Sequence, residues 1–290
     1  MRPKQWYKNF AVFVALVFSF NLSNVDMWFY ITSAFVIFCL LSGSEYLLND
    51  IIDRKNDQSH PRKSNRPIAS GKLKVSHALA FAILLIAVSF GAGYLISIPF
   101  LLICIVFLFL ILSYSLYLKH FIIVDVLVIS SGFVIRAMAG VIAAYVIDKK
   151  VEMSPWLVIC AFLLALFLAL GKRRHELVLL GENAKEHRKI LEEYSAVMLD
   201  QMISIATAAL IISYSLYTFL TENQYMMFTI PVVVYGLFRY LFLIHAKNFG
   251  GEPEMLFKDK GLLVSMGMWV LLVLIILYGI PKLLPSFFSG

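Results

Sequence analysis

Residues 49–71 read NDIIDRKNDQSHPRKSNRPIASG. Asn49, Asp53 and Asp57 fall at i, i+4 and i+8. Each four-residue step on an α-helix turns about 400°, so the three drift by only about 40° per step and share one face. Glu45 extends the row by one turn, and Pro61 is expected to end the helix, because it breaks the hydrogen-bond ladder and disfavours helical geometry at His60. Carboxylates stacked on one face repel unless a cation bridges them. An all-oxygen donor set suits a hard cation, and Mg²⁺ takes one or two carboxylates together with phosphate oxygens and water. The basic residues that follow, Arg62, Lys63, Arg66 and Lys72, supply charge for phosphate oxygens, the arginines as planar forks. The stretch therefore reads as a Mg²⁺-diphosphate site. Asp50, Lys63 and Arg66 join it as candidate substrate contacts. A solvated helix end with scattered acids is the plainer alternative, and the regular spacing beside so many cations weighs against it.

A second cluster lies at 171–195, GKRRHELVLLGENAKEHRKILEEYS. Lys172, His175 and Glu176 are spaced i, i+3, i+4 on an expected helix, with Arg173 between them and His187, Arg188 and Tyr194 further along. Ionisable groups at the edge of a membrane span are functional candidates, the alternative being topology signals on an amphipathic surface helix. A third basic stretch, MRPKQWYKN, opens the chain. Trp6 suits the headgroup level, and Lys4 and Lys8 are placed to meet a lipid phosphate or to anchor the interface.

The elements that must position these residues are membrane helices. The chain is 61% hydrophobic and 15% charged, whereas soluble domains carry about 25% charged residues. Apolar runs long enough to cross a bilayer as helices recur throughout. Nine spans are expected, at about 9–25, 28–48, 77–97, 100–118, 121–146, 155–171, 197–220, 225–246 and 262–281, the first being short. The ten-residue alternation of a β-barrel is absent from the sequence, and no small-residue cleavage site follows the first apolar run. With nine spans, twenty Lys and Arg fall on one side and three on the other, while Arg136 and Arg239 lie inside spans and are expected to face a cavity or a buried acid. Positive charge marks the cytoplasmic side, which places the N-terminus and both long loops, about 49–76 and 172–196, in the cytoplasm. The expected organisation is one all-α transmembrane domain over 1–290, capped by those loops. Cys39, Cys104 and Cys160 sit in apolar runs without metal-ligand spacing and read as small core residues. No nucleic-acid partner is expected.

The motif NDxxDxxxD after the second span resembles the first motif of the UbiA superfamily of intramembrane prenyltransferases. That resemblance implies a nine-helix bundle with a cytoplasm-facing polar cavity, and Asn49, Asp53 and Asp57 as the ligands that hold a diphosphate through Mg²⁺. Ordinary members carry a second motif, DxxxD, after the sixth span. Here GKRRHEL stands in that place, and the only aspartates after Asp148 are Asp200 and Asp259. With RPKQWYKN at 2–9, HRKILEEYS at 187–195, YGLFRY at 235–240 and EPEMLFKD at 252–259, the pattern resembles the decaprenyl-phosphate phosphoribosyltransferase branch. The branch implies an enzyme of the bacterial plasma membrane, serving cell-wall synthesis. It would transfer 5-phosphoribosyl from phosphoribosyl pyrophosphate (PRPP) to a polyprenyl phosphate. Lys4, Lys8, Asp50, Lys63, Arg66, Lys172, Arg173, Glu176, His187, Arg188 and Tyr194 would contact the substrates. An aromatic prenyltransferase is the runner-up, opposed by the missing DxxxD. A transporter would need neither the acidic row nor the basic loop, and the glycine-interrupted pair of spans that marks many transporters does not stand out in this sequence.

Overall fold

The computed structural model describes residues 3–58, 63–152, 154–180, 193–221, 223–247 and 258–279. These residues form helices and turns and contain no strand. Among the described residues eight helical stretches are long and apolar enough to cross a membrane: Val25–Ile52, Val75–Ile96, Ile98–Leu116, Val124–Tyr145, Pro155–Leu179, Ala196–Leu220, Gln224–Ala246 and Lys260–Gly279. The protein is an integral membrane protein. The expected spans from the second to the ninth agree with these to within about four residues, except that the sixth, expected to end at 171, runs on as helix to Leu179.

The first expected span differs. Its residues form a 3₁₀ helix, Pro3–Phe13, followed by a five-residue α-helix, α1 (Val14–Phe18). The segment is too short, and over Pro3–Asn9 too polar, to count among those spans.

The chain divides into two compact units, residues 1–119 with 132–152 and residues 120–131 with 153–290. In the first unit, α2 (Val25–Ile52) packs against the 3₁₀ helix, α4 (Val75–Ile96) and α5 (Ile98–Leu116). Asn24 caps α2 by accepting from the Met27 amide at 3.1 Å. The core of this unit is built from Phe38, Phe100, Phe107, Leu16, Met27, Ile31 and Leu41, joined by Ala139, Ala143 and Ala144 of α6 (Val124–Tyr145). α6 supplies its first eight residues to the second unit and the rest to the first. In the second unit, α7 (Pro155–Leu180) pairs with α8 (Ala196–Leu220), and α9 (Ile230–Lys247) with α10 (Lys260–Leu274). Apolar side chains such as Leu95, Phe109, Ile205 and Phe228 remain exposed on the outer faces, the arrangement a bilayer solvent calls for. The three cysteines are buried and free of disulfides.

Candidate active site

The acidic row sits where α2 ends. Asp53 caps α2 with φ −84° and ψ 4°, and a short helix, α3 (Arg54–Gln58), follows. The row is therefore not one continuous helix, in line with the poor standing of Asp in helix interiors. The ladder nonetheless crosses the break, since the Asp53 amide donates to the Asn49 carbonyl at 2.9 Å and the Asp57 amide to the Asp53 carbonyl at 2.8 Å.

Each carboxylate of the motif is met by a cation. Arg66 Nη1 donates to Asp57 Oδ2 at 2.6 Å and to Asp50 Oδ1 at 3.1 Å. Lys119 Nζ lies 2.8 Å from Asp53 Oδ1. Asp57 is buried, Asn49, Asp50, Asp53 and Arg66 are half-buried, and Gln58 anchors the turn below by donating to the Ala69 carbonyl at 3.1 Å. The positive φ of Gly71, 77°, closes that turn. Asp50 and Arg66 thus join Asp53 and Asp57 in one acid–base cluster. Lys119 belongs to it as well, although its place just after a span reads in the sequence only as a topology signal. Its 66-residue separation from Asp53 hides the contact until the chain is folded.

Among the described residues no three His, Cys, Asp or Glu side chains form a ready metal cage. Mg²⁺ needs only one or two protein carboxylates when phosphates complete its shell. The oxygen-only set of Asn49, Asp53 and Asp57 fits such an ion.

The second cluster lies in the second unit. α7 continues as helix beyond its apolar run, carrying Lys172, Arg173 and Glu176. Arg173 is 2% exposed. Its Nε donates to Asp125 Oδ2 at 2.7 Å and its Nη1 to Glu176 Oε2 at 2.6 Å. Tyr194, expected to donate to a substrate, instead donates to Asp125 Oδ1 at 2.9 Å and accepts the Ile123 amide at 2.8 Å. Burial pushes its hydroxyl above the ordinary tyrosine range, so it remains a donor at neutral pH. The amide it accepts belongs to a strained turn. Ile123 has φ 68°, and the Val124 amide reaches the Ile122 carbonyl at 2.7 Å, a γ-turn unusual for a β-branched residue. Lys172 is the more accessible cation, 44% exposed and 3.9 Å from Glu176. Arg174 pairs with Asp200, which also meets His245 Nε2 at 3.2 Å.

The N-terminal segment places Lys8 Nζ 3.2 Å from Gln5 Oε1. His187 and Arg188, and the side chains of Lys4 and Lys63, lie outside the described residues. Of the two arginines inside spans, Arg239 faces an acid, with Nε and Nη2 donating to Asp259 at 3.1 and 2.8 Å. Arg136 donates to the amide oxygen of Asn9 at 2.7 Å, and the Glu45 carboxylate acts on it electrostatically.

The chain matches the UbiA prenyltransferase family over residues 10–258. It belongs to that family. This UbiA family member is similar to the decaprenyl-phosphate phosphoribosyltransferase of Corynebacterium glutamicum, with 34% identity covering 97% of this chain and 86% of the relative. The decaprenyl-phosphate phosphoribosyltransferase of Mycolicibacterium smegmatis is 30% identical, covering 93% of this chain and 88% of that one. In fold the chain resembles a UbiA homolog from Archaeoglobus fulgidus bound to GPP and Mg²⁺, with a TM-score of 0.69, 17% identity and 94% of each chain covered. The same homolog bound to Cd²⁺ superposes with a TM-score of 0.68 at 16% identity, covering 96% of this chain and 97% of that one.

Proposed function

We propose that this UbiA family member transfers 5-phosphoribosyl from PRPP to a polyprenyl phosphate of the decaprenyl type. Pyrophosphate is released and polyprenylphosphoryl-5-phosphoribose is the product. The observation that carries the reading is that α7 runs into Lys172, Arg173 and Arg174, where prenyl diphosphate users are expected to present paired aspartates. The names of the relatives that align along nearly the whole chain support it.

PRPP brings a diphosphate and a separate 5-phosphate, and the acceptor adds a third anionic group. Converging anions call for cations. In the first unit Arg66 and Lys119 are such cations, already held among the carboxylates. Asn49, Asp53 and Asp57 would hold the metal, which we assign as Mg²⁺, a divalent ion also bound by the structural relative. Bound there, Mg²⁺ would neutralise charge that develops on the departing diphosphate. In the second unit Lys172 is the accessible candidate for contact with a substrate phosphate, with Glu176 as its orienting partner. A phosphate-monoester oxygen of the acceptor forms the bond to ribose C1 as the bond from C1 to the diphosphate breaks. Positive charge builds on the ring in between, as in glycoside cleavage. That oxygen is ionised at neutral pH, so no protein base is assigned. The reaction would lie on the cytoplasmic side of a bacterial plasma membrane, since PRPP cannot cross hydrocarbon.

The test is incubation of the purified protein with PRPP, polyprenyl phosphate and Mg²⁺, followed by mass analysis of the lipid. A parallel reaction supplies a prenyl diphosphate and 4-hydroxybenzoate. A lipid-linked phosphoribose in the first reaction alone is expected. A prenylated aromatic acid without it would establish the prenyltransferase reading instead.

A further inference from the structure

At the end of α7 two cations stand beside one carboxylate. Counted round the helix, Glu176 lies one turn on, about 40° from Lys172 and about 60° from Arg173, so both side chains can reach it. Arg173 takes the closer contact. Its Nη1 donates to Glu176 Oε2 at 2.6 Å, while Lys172 Nζ stands 3.9 Å from Oε1, an ion-pair separation too long for a hydrogen bond. Two physical reasons favour that outcome. The Arg173 side chain is 3% exposed and that of Lys172 44%, so water screens the arginine far less. A lysine placed four residues before a glutamate is also the weaker order for such a pair on a helix.

Arg173 faces Glu176 because Asp125 turns it that way. The Arg173 Nε donates to Asp125 Oδ2 at 2.7 Å, so one guanidinium is held by a carboxylate through Nε and by a second through Nη1. Asp125 is fixed in its turn. Its Oδ1 accepts the Tyr194 hydroxyl at 2.9 Å, and that hydroxyl accepts the Ile123 amide at 2.8 Å. Asp125 has no exposed surface, and Arg173, expected from the sequence to contact a substrate, has almost none to offer one. A planar guanidinium can span two carboxylates with donors in fixed directions, which a point-like ammonium cannot. A buried ion pair adds little stability over apolar side chains of the same volume. What this one does add is a fixed place for the Glu176 carboxylate.

We propose that Arg173, set by Asp125, is a positioning residue that holds the Glu176 carboxylate out of hydrogen-bond range of Lys172 and so keeps that ammonium directed at a phosphate of PRPP. Without the second hold of Arg173, Glu176 turns to Lys172 and competes with the substrate for it. The inference rests on the proposed function in taking PRPP as the donor.

The test is calorimetric titration of the full-length protein in nanodiscs, with PRPP and Mg²⁺ and separately with polyprenyl phosphate. Arg173→Lys keeps a charge for Asp125 and gives up the bridge to Glu176. PRPP affinity should fall by about fivefold, the worth of a solvent-screened contact at Lys172, with polyprenyl phosphate affinity within about twofold. The sign of the coupling is the decisive readout. In a Glu176→Gln background, and equally in a Lys172→Ala background, adding Arg173→Lys should change PRPP affinity by less than about twofold, because the competing pair no longer exists. An arginine that only supports the fold would cost the same in every background. Unchanged PRPP affinity in Arg173→Lys, an undiminished loss in the Glu176→Gln background, or an equal loss for both substrates overturns the proposal and leaves the enzyme reading intact. If the wild-type protein neither binds PRPP nor makes a lipid-linked phosphoribose, the enzyme reading falls and this proposal with it. Should Arg173→Lys fail to fold, Asp125→Asn, which removes the charge that turns Arg173, takes its place with the same expected pattern across the backgrounds.

Discussion

Asp125 has no exposed surface, yet both its carboxylate oxygens are bonded, one to Arg173 and the other to Tyr194. Removing one member of a buried pair strands the other charge, at a cost of about 3–5 kcal/mol. Asp125→Ala should therefore lower the thermal midpoint sharply, because Arg173 loses a buried partner and the Ile123 turn loses the support of Tyr194. Asp125→Asn, which keeps both oxygen and shape, should cost less. Unfolding in detergent followed by tryptophan fluorescence measures both, and equal midpoints for Asp125→Ala and the wild type would refute the structural role. Asp57 presents the opposite balance. Its partner Arg66 also bonds Asp50, so Asp57→Ala leaves that guanidinium one carboxylate and a route to water. The variant should stay folded but lose transfer and diphosphate-dependent Mn²⁺ binding, read by electron paramagnetic resonance. Full turnover at saturating Mg²⁺ would remove Asp57 from the metal assignment.

At the scale of elements, the lock between α9 and α10 has a pH dependence whose sign is fixed by chemistry. Asp259 caps α10 through the Leu262 amide at 2.9 Å and receives both nitrogens of Arg239. The Arg239 hydrogen bonds, aided by the backbone amides, hold its carboxyl at about 2, below the ordinary 3.8. A carboxyl with a lowered folded value adds stability above its unfolded value and loses it as pH falls through the folded one. Arg239→Gln should accordingly be less stable than the wild type at neutral pH, and the gap should close as pH drops from about 4 to about 2. Thermal midpoints of the two proteins across that range provide the check. A gap that persists below pH 2 would mean that the arginine acts by packing alone.

At the scale of the whole molecule, the charge asymmetry predicts an orientation for the chain that labelling can test. Single cysteines introduced at Ser70 and at Lys149, in a background without Cys39, Cys104 and Cys160, should be labelled from opposite sides of the membrane in spheroplasts and inverted vesicles. Labelling of both from one side would upset the twenty-to-three assignment of lysines and arginines. Lys172 belongs to this scale because its proposed ligand is a whole substrate. It is 44% exposed, so its contact is screened by solvent and Lys172→Ala should weaken PRPP binding by only about 1 kcal/mol. Calorimetric titration with PRPP and with polyprenyl phosphate separates the two, and loss of lipid affinity alone would hand the residue to the acceptor.

Much of this protein is legible without coordinates because a bilayer leaves a chain few choices. Backbone groups in hydrocarbon must be satisfied within the segment, so length and hydropathy dictate the helices at 25–52 and onward. Spacing likewise brings Asn49, Asp53 and Asp57 to one region, since local geometry sets the turn per residue. Three things depend on contacts between residues far apart in the chain, which periodicity does not encode. The 3₁₀ winding of residues 3–13 is fastened by Asn9 to Arg136 across 127 positions. The capture of Asp53 by Lys119 and of Asp125 by Tyr194 spans 66 and 69 positions. Nothing in the composition of those segments distinguishes a topology lysine from a site lysine, or a substrate-binding tyrosine from a structural one. The difference lies in which buried charge stands opposite, and only the packing of the helices decides that.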